Sequence, residues 1–220
     1  MFQATPHPKS PAKFTVAGLY AIVDTSVLGP RDLGDAVFAV LKGGANVIQY
    51  RDKSGDQARR GQQAELVKQL CRQFGRPLVI NDDIALAKAI DADGVHLGKH
   101  DPSIVKARQV LGHNAIIGVS CYNELALAIE AEKNGADYVA FGSFFSSKTK
   151  PDAVNAPLTL LHEARQQLNV PITAIGGITA DNAGSLIAAG ADAVAVIRDI
   201  FDRSDIQAAA SRYNPLFIDQ

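Results

Sequence analysis

The sequence predicts an α/β protein, a single-domain (β/α)8 TIM barrel, and three observations carry that expectation. Short apolar runs alternate with longer amphipathic stretches, eight times over, within 220 residues. The apolar runs are nearly continuous, as expected of strands covered on both faces. Four segments, "GGANVIQ", "DADGVHLG", "NGADYVAFG" and "AGADAVAVI", repeat one grammar: small residues with Gly, then Asn or Asp, then a strand. Unbroken alternation of strand and helix implies a parallel sheet, and eight units in about 200 residues suit a closed barrel near the lower end of its usual size. An open doubly wound sheet would want a Gly-rich turn after the first strand, and "VDTSVLGPRD" contains no GxGxxG.

Taken in order, strand 1 is read at 18–24 and its helix at 32–43; strand 2 at 45–51, with a helix at 57–74. Strand 3 at 77–82 leads to a helix at 83–90, and strand 4 at 94–98 to a helix at 102–111. Strands at 115–120 and 138–143 precede helices at 123–134 and 157–168, and strands at 171–177 and 193–197 precede helices at 180–189 and 205–213. Within the repeated grammar, Gly closes the preceding helix and the polar residue starts the next strand. Asp137 and Asp192 are therefore read as turn formers, not catalysts. Residues 1–14, with three prolines and no apolar run, are read as a flexible leader rather than a signal peptide, and 15–220 as the barrel domain.

Composition removes several function classes. Net charge is −1 and the cations are scattered, which gives no support for a nucleic-acid surface. Cys71 and Cys121 fit a reduced compartment and show no zinc spacing. No window approaches the roughly 18 apolar residues of a membrane helix. The expectation is a cytoplasmic protein acting on small molecules, with neither nucleic acid nor membrane as partner; a homo-oligomer is compatible with all of this.

In such barrels the site lies where the strands end. Gln49, Arg51 and Lys53 sit two apart, so in an extended chain they share one face, and Arg and Lys suit an anion. The segment "SSKTK" adds hydroxyls and Lys150 after strand 6. Gly176 and Gly177 in "IGGIT" bring backbone amides close to a ligand, or simply form a tight turn, and strand 8 runs into "RDIF". A phosphate held after strands 7 and 8 is a recurring barrel device. Asp82 ends strand 3 and Asp101 follows strand 4; two carboxylates facing cations and phosphates suit magnesium. The plainer alternative makes Asp101 the cap of a helix with Pro102 at its first position, and Asp83 a cap only. His96 reads as a packed, hydrogen-bonded core residue. Ser120 lacks a GxSxG context, so it is a ligand-contacting hydroxyl or a turn residue. Two anion sites facing each other across one mouth suggest transfer between two phosphorylated small molecules.

In these residues the chain resembles the thiamine phosphate synthase family, over about residues 18–201. The family's QxRxK is present as Gln49, Arg51 and Lys53, its Asn-Asp as Asn81 and Asp82, and its GxHxGQxD as "GVHLGKHD" ending in Asp101. Its GVS carries Ser120, its GPxFPTxTK is "GSFFSSKTK", and its GGI is Gly176, Gly177 and Ile178. The resemblance implies that 4-amino-2-methyl-5-(diphosphooxymethyl)pyrimidine loses pyrophosphate and its methylene is joined to a thiazole or carboxythiazole phosphate, giving thiamine monophosphate with Mg2+ as cofactor. It further implies metal ligation by Asp82 and Asp101, and catalytic roles for Arg51, Lys53, Ser120 and Lys150. Gln49, Tyr50, Asp52, Asn81, Ser147, Lys148, Thr149, Gly176, Gly177, Ile197 and Arg198 would contact substrate. Departures fall at Ser143, Ser146 and Arg198, and at Lys99 in place of Gln.

Three rivals are weighed against this expectation. A thiazole tautomerase paralogue would carry a histidine just after GVS, where this chain has "CYN". A non-catalytic phosphometabolite-binding barrel has no need of Asp82, Asp101 and Lys150 together. A Schiff-base aldolase wants a lysine within a strand, and none of the strand runs contains one.

Overall fold

The computed structural model describes residues 15–29, 31–146 and 156–218. Eight strands, β1 Gly18–Asp24, β2 Val47–Arg51, β3 Leu78–Asn81, β4 Gly94–Leu97, β5 Ile116–Tyr122, β6 Tyr138–Phe141, β7 Ile172–Ile175 and β8 Ala193–Val196, pair in parallel and in sequence order into a closed barrel. Closure is made by β1 on β8, with Gly18 opposite Ala193 and Tyr20 opposite Ala195. The expected barrel is therefore present.

Strand alternation splits the buried residues into two cores. Leu19, Ala21, Val23 and Ile48 face outward and pack against the helical layer. Tyr20, Ile22, Val47, Val79, Ile116, Tyr138, Ala193 and Ala195 fill the barrel interior. Both faces exclude water, which is why the strands read as continuous apolar runs.

Around the strands lie α1 Thr25–Leu28, α2 Leu33–Lys42, α3 Gln57–Gln73, α4 Ile84–Ala89, α5 Ile104–Leu111, α6 Leu125–Lys133, α7 Thr159–Gln167, α8 Ala183–Ala188, α9 Arg198–Phe201 and α10 Ile206–Ser211. Asp32, Asp56, Asp83, Ser103 and Asp205 each accept a backbone N–H of the first turn of α2, α3, α4, α5 and α10, satisfying donors that the helix itself cannot. The short helices α1 and α9 were not expected as helices. Asp24 makes α1 possible by accepting from the Ser26 N–H.

The repeated grammar has a structural cause. The polar residue before each even strand accepts the N–H at the start of the preceding odd strand. The pairs are Leu19 N to Asn46 at 3.2 Å, Leu78 N to Asp93 at 2.8 Å, Ile117 N to Asp137 at 2.7 Å and Ile172 N to Asp192 at 2.7 Å. Arg108 and Arg165 add ion pairs to Asp137 and Asp192, both at 2.8 Å. These residues tie the lower rim together and leave the upper rim for chemistry.

Candidate active site

The upper rim opens into a cavity of about 1120 Å3 lined from both sides of the barrel. A second, smaller cleft of about 590 Å3 adjoins it, with Asn81 on the wall of both.

Arg51 is the last residue of β2 and lies in register with Asp24, the last of β1. Its guanidinium donates to the Asp24 carboxylate, which is itself 2% exposed and also accepts the Ser26 hydroxyl at 2.6 Å. Arg51 is thus held along one edge while it lines the cavity. Lys53, beyond the strand end, donates to Asp82.

Asp82 leaves β3 with φ +62°, a left-handed conformation uncommon outside glycine. That turn ends the strand one residue before the expected boundary. The Asp82 N–H donates to the His96 carbonyl at 2.9 Å. Asp101 accepts the Gly98 N–H at 2.6 Å, and its carboxyl lies near enough to Asp82 for each to affect the other's ionisation. The helix that follows is capped by Ser103, not Asp101, and starts at Ile104. Asp83, by contrast, caps α4 and pairs with Arg60 at 2.8 Å.

The two neighbouring carboxyls titrate apart. Burial pushes Asp82 up, but the bonds from Lys53 and Asp101 outweigh it and hold the group below its ordinary value. Burial raises Asp101; the Gly98 N–H opposes this, and the adjacent Asp82 carboxylate reinforces it, leaving Asp101 above the ordinary value. Two hard oxygen donors that repel when both are ionised are what a small divalent cation relieves. Among the described residues no group of three or more His, Cys, Asp or Glu is arranged around a metal. Two carboxyl groups alone are a donor set of the kind magnesium uses, since it keeps waters and takes phosphate oxygens as further ligands.

Deeper in the same half of the cavity, the Gln49 amide donates to the Tyr20 hydroxyl at 2.9 Å. Tyr20 and Tyr138 hydroxyls lie 2.7 Å apart, the Tyr138 hydroxyl is 2.9 Å from His96 Nδ1, and His96 Nε2 is 2.9 Å from Ser120 Oγ. His96 is hydrogen-bonded, as expected of it, yet it also lines the cavity beside Ser120.

The opposite wall comes from β7 and β8. The strand stops at Ile175 because Gly176 and Gly177 take φ of +105° and +61°. A Cβ on Gly177 would sit 2.5 Å from the Ser146 carbonyl oxygen, so only glycine lets the two loops meet. Asn182 braces the turn, donating to the Gly177 carbonyl at 3.1 Å and accepting the Thr179 N–H at 2.9 Å. Ile197 and Arg198 follow β8, and Arg198 pairs with Asp202 at 3.1 Å.

The structure thus gathers Gln49, Arg51, Asn81, Ser120, Gly176, Gly177, Ile197 and Arg198 around one cavity, with Lys53 and Asp82 on the adjoining cleft. Tyr50 faces the helical layer, whereas Asp52 lines the adjoining cleft with Lys53 and Asp82. The Tyr50 hydroxyl donates to Gln63 at 2.9 Å, while Asp52 accepts the Ser54 N–H at 2.6 Å and pairs with Arg59 at 3.2 Å, so both brace the β2–α3 loop. Ser147, Lys148, Thr149 and Lys150 lie outside the described residues, as does the 1–14 leader. Cys71 and Cys121 are buried free thiols, both pushed up by burial to about 12. Neither is a nucleophile at neutral pH. Sequence reasoning missed Asp24 as the anchor of Arg51, because that role needs its register with β2.

The model of the thiamine monophosphate synthase family matches residues 19–200. The chain is 57% identical over 203 residues to the thiamine-phosphate synthase of Nitrosococcus oceani, covering 92% of this chain and 94% of that protein. It is 50% identical over 200 residues to the thiamine-phosphate synthase of Thioalkalivibrio sulfidiphilus, covering 91% and 95%. The solved structure of a thiamine phosphate pyrophosphorylase from Pyrococcus furiosus superimposes with a TM-score of 0.83 at 34% identity, covering 91% of this chain and 95% of that one.

Proposed function

We infer how the rim works from one premise: this chain belongs to the thiamine monophosphate synthase family and is a transferase that forms thiamine phosphate. The substrates in this reading are the pyrimidine diphosphate and a thiazole phosphate. The bond between the pyrimidine's methylene carbon and the diphosphate oxygen breaks, and its electron pair leaves with pyrophosphate. The resulting pyrimidine-methyl cation is captured by the lone pair of the thiazole nitrogen. That nitrogen carries no proton, so no general base is assigned.

The observation that carries the proposal is the convergence of Arg51, Lys53, Asp82 and Asp101 at neighbouring strand ends. Charge builds on the departing pyrophosphate, and donors already fixed in place lower that barrier without reorganising. Arg51, anchored by Asp24, presents its remaining N–H groups to phosphate oxygens. Lys53 exchanges part of its contact with Asp82 for the diphosphate, and Asn81 donates a hydrogen bond. Magnesium held by Asp82 and Asp101 would neutralise charge on the phosphates as a Lewis acid. Lys150 is given the same electrostatic task on the strength of the family motif. Ser147, Thr149, the Gly177 amide and the backbone at Ile197 and Arg198 would hold the thiazole phosphate.

Among the described residues no helix is long and apolar enough to cross a membrane; with small soluble substrates, this supports a cytoplasmic enzyme. The test supplies both substrates with magnesium and quantifies both products. Thiamine phosphate and pyrophosphate should appear one to one, stop on chelation with EDTA, and resume when magnesium is restored. Undiminished turnover in EDTA would remove Asp82 and Asp101 from the metal role.

A further inference from the structure

Below the cations, five side chains from five strands form one continuous hydrogen-bonded chain: Gln49 on β2, Tyr20 on β1, Tyr138 on β6, His96 on β4 and Ser120 on β5. Its inner members are closed to water, with Gln49, Tyr20 and Tyr138 exposed by 3%, 1% and 0%. The Tyr20 and Tyr138 hydroxyl protons must therefore each go to a partner in the chain.

The orientation of the Gln49 amide then sets the sense of the chain. The Gln49 amide nitrogen donates to the Tyr20 oxygen. Tyr20 keeps its own proton, because burial raises its phenol and Tyr138's well above their ordinary value. Its acceptor is the Tyr138 oxygen at 2.7 Å. Tyr138 in turn donates to His96 Nδ1 at 2.9 Å. A neutral imidazole that accepts at Nδ1 carries its hydrogen on Nε2. Nε2 then donates to Ser120 Oγ at 2.9 Å, and the Ser120 hydrogen is left to point elsewhere. Among the described residues nothing accepts it, and Ser120 lines the cavity. Gly118 makes the geometry possible: a Cβ there would lie 2.0 Å from Tyr138 Cζ, on the strand position directly below Ser120.

We propose that Tyr20 and Tyr138 are positioning residues that fix His96 as the Nε2–H tautomer and so present the Ser120 hydroxyl as a hydrogen-bond donor to an acceptor atom of the pyrimidine diphosphate. The choice of ligand rests on the function proposed above; the tautomer does not. Run in reverse, with the Gln49 amide turned over, the same chain would make Ser120 donate to His96 and offer the substrate only an acceptor. Only the first sense gives the enzyme a preset donor.

Histidine 15N labelling with two-bond proton–nitrogen spectra reads the tautomer directly, and His96→Gln assigns the signal. The unliganded wild type should show a protonated Nε2 and an unprotonated Nδ1. Tyr138→Phe should lose that pattern and mix the tautomers; Tyr20→Phe should shift it less. With native-like thermal melting, Tyr138→Phe should lower kcat by roughly tenfold, the order typical of losing an orienting hydrogen bond. Combined with Ser120→Ala, it should cost no more than Ser120→Ala alone. A wild-type spectrum with the proton on Nδ1, or losses from Tyr138→Phe and Ser120→Ala that multiply, would overturn the proposal. If Tyr138→Phe does not fold, the wild-type and Tyr20→Phe spectra decide. A wild type that makes no thiamine phosphate would defeat the function reading and leave the spectral result standing.

Discussion

Arg51 owes its aim to Asp24. A guanidinium at a strand end has several rotamers, and the buried carboxylate beside it selects one while leaving other N–H groups for ligand. Asp24→Asn keeps an oxygen to cap α1 but removes the charge. We expect kcat/KM to fall by about tenfold to a hundredfold, as when an orienting partner is lost, and urea stability to fall by about 1–3 kcal/mol. Unchanged kinetics in a folded Asp24→Asn protein would contradict this role. Arg51, Lys53 and Asp82 were legible in the sequence because their charge is out of place at the end of an apolar strand. Asp24 was not, because its role depends on register with β2, and pairing between strands does not show in spacing along one strand. Asp101 left a cap and a metal ligand equally open; the cap now goes to Ser103, two residues on, where the first-turn N–H is satisfied.

At the level of elements, several strands stop where the backbone must change direction to build the site. β3 ends at the left-handed Asp82 and β7 at the glycine pair, each short of the expected boundary. A sequence marks the apolar run but not the φ at its last residue. Gly177→Ala adds a Cβ 2.5 Å from the Ser146 oxygen in a left-handed turn. It should raise KM for the thiazole phosphate by about tenfold, near 1.4 kcal/mol, and leave KM for the pyrimidine diphosphate within about twofold; equal shifts in both would place the glycine pair elsewhere. The lower rim was readable as a repeat, though its purpose was not, since each Asn or Asp acts on the strand before it. Asp137→Ala removes the acceptor of the buried Ile117 N–H and the carboxylate partner of Arg108, which keeps its backbone carbonyl acceptors. Urea midpoints should drop by the equivalent of about 1–3 kcal/mol, with specific activity of the folded fraction intact; a loss of activity without a loss of stability would refute the structural assignment.

Over the whole molecule, the Asn and Asp ties between strands occupy the lower end of the barrel and the candidate site the upper. Asp199 joins α9 and α10 to the β7 loop, accepting from Arg203 at 2.7 Å, Tyr213 at 2.9 Å and the Ala180 N–H at 3.2 Å. Burial alone would raise this carboxyl, but those donors win and its value is lowered. A lowered folded value stabilises the protein above the unfolded pKa, near 3.9, and that contribution is lost as pH falls through the folded value. Asp199→Asn should therefore lose less stability than wild type between about pH 5 and pH 3 in urea titrations, and parallel curves would rule the residue out as a source of acid sensitivity. Barrel, strand order and the cationic rim all follow from apolar runs, helix signals and misplaced charge. The hydrogen-bonded chain through the interior does not, because Gln49, Tyr20, Tyr138, His96 and Ser120 meet only after closure.

Preset positive charge is what makes pyrophosphate departure fast. Single-turnover rapid quench of the enzyme with the pyrimidine diphosphate, thiazole phosphate and magnesium measures that step. Wild type should release pyrophosphate and form thiamine phosphate in equal amounts, and a folded Asp82→Asn protein should do so slower by at least about a hundredfold. Pyrophosphate released at the wild-type rate by Asp82→Asn would contradict it.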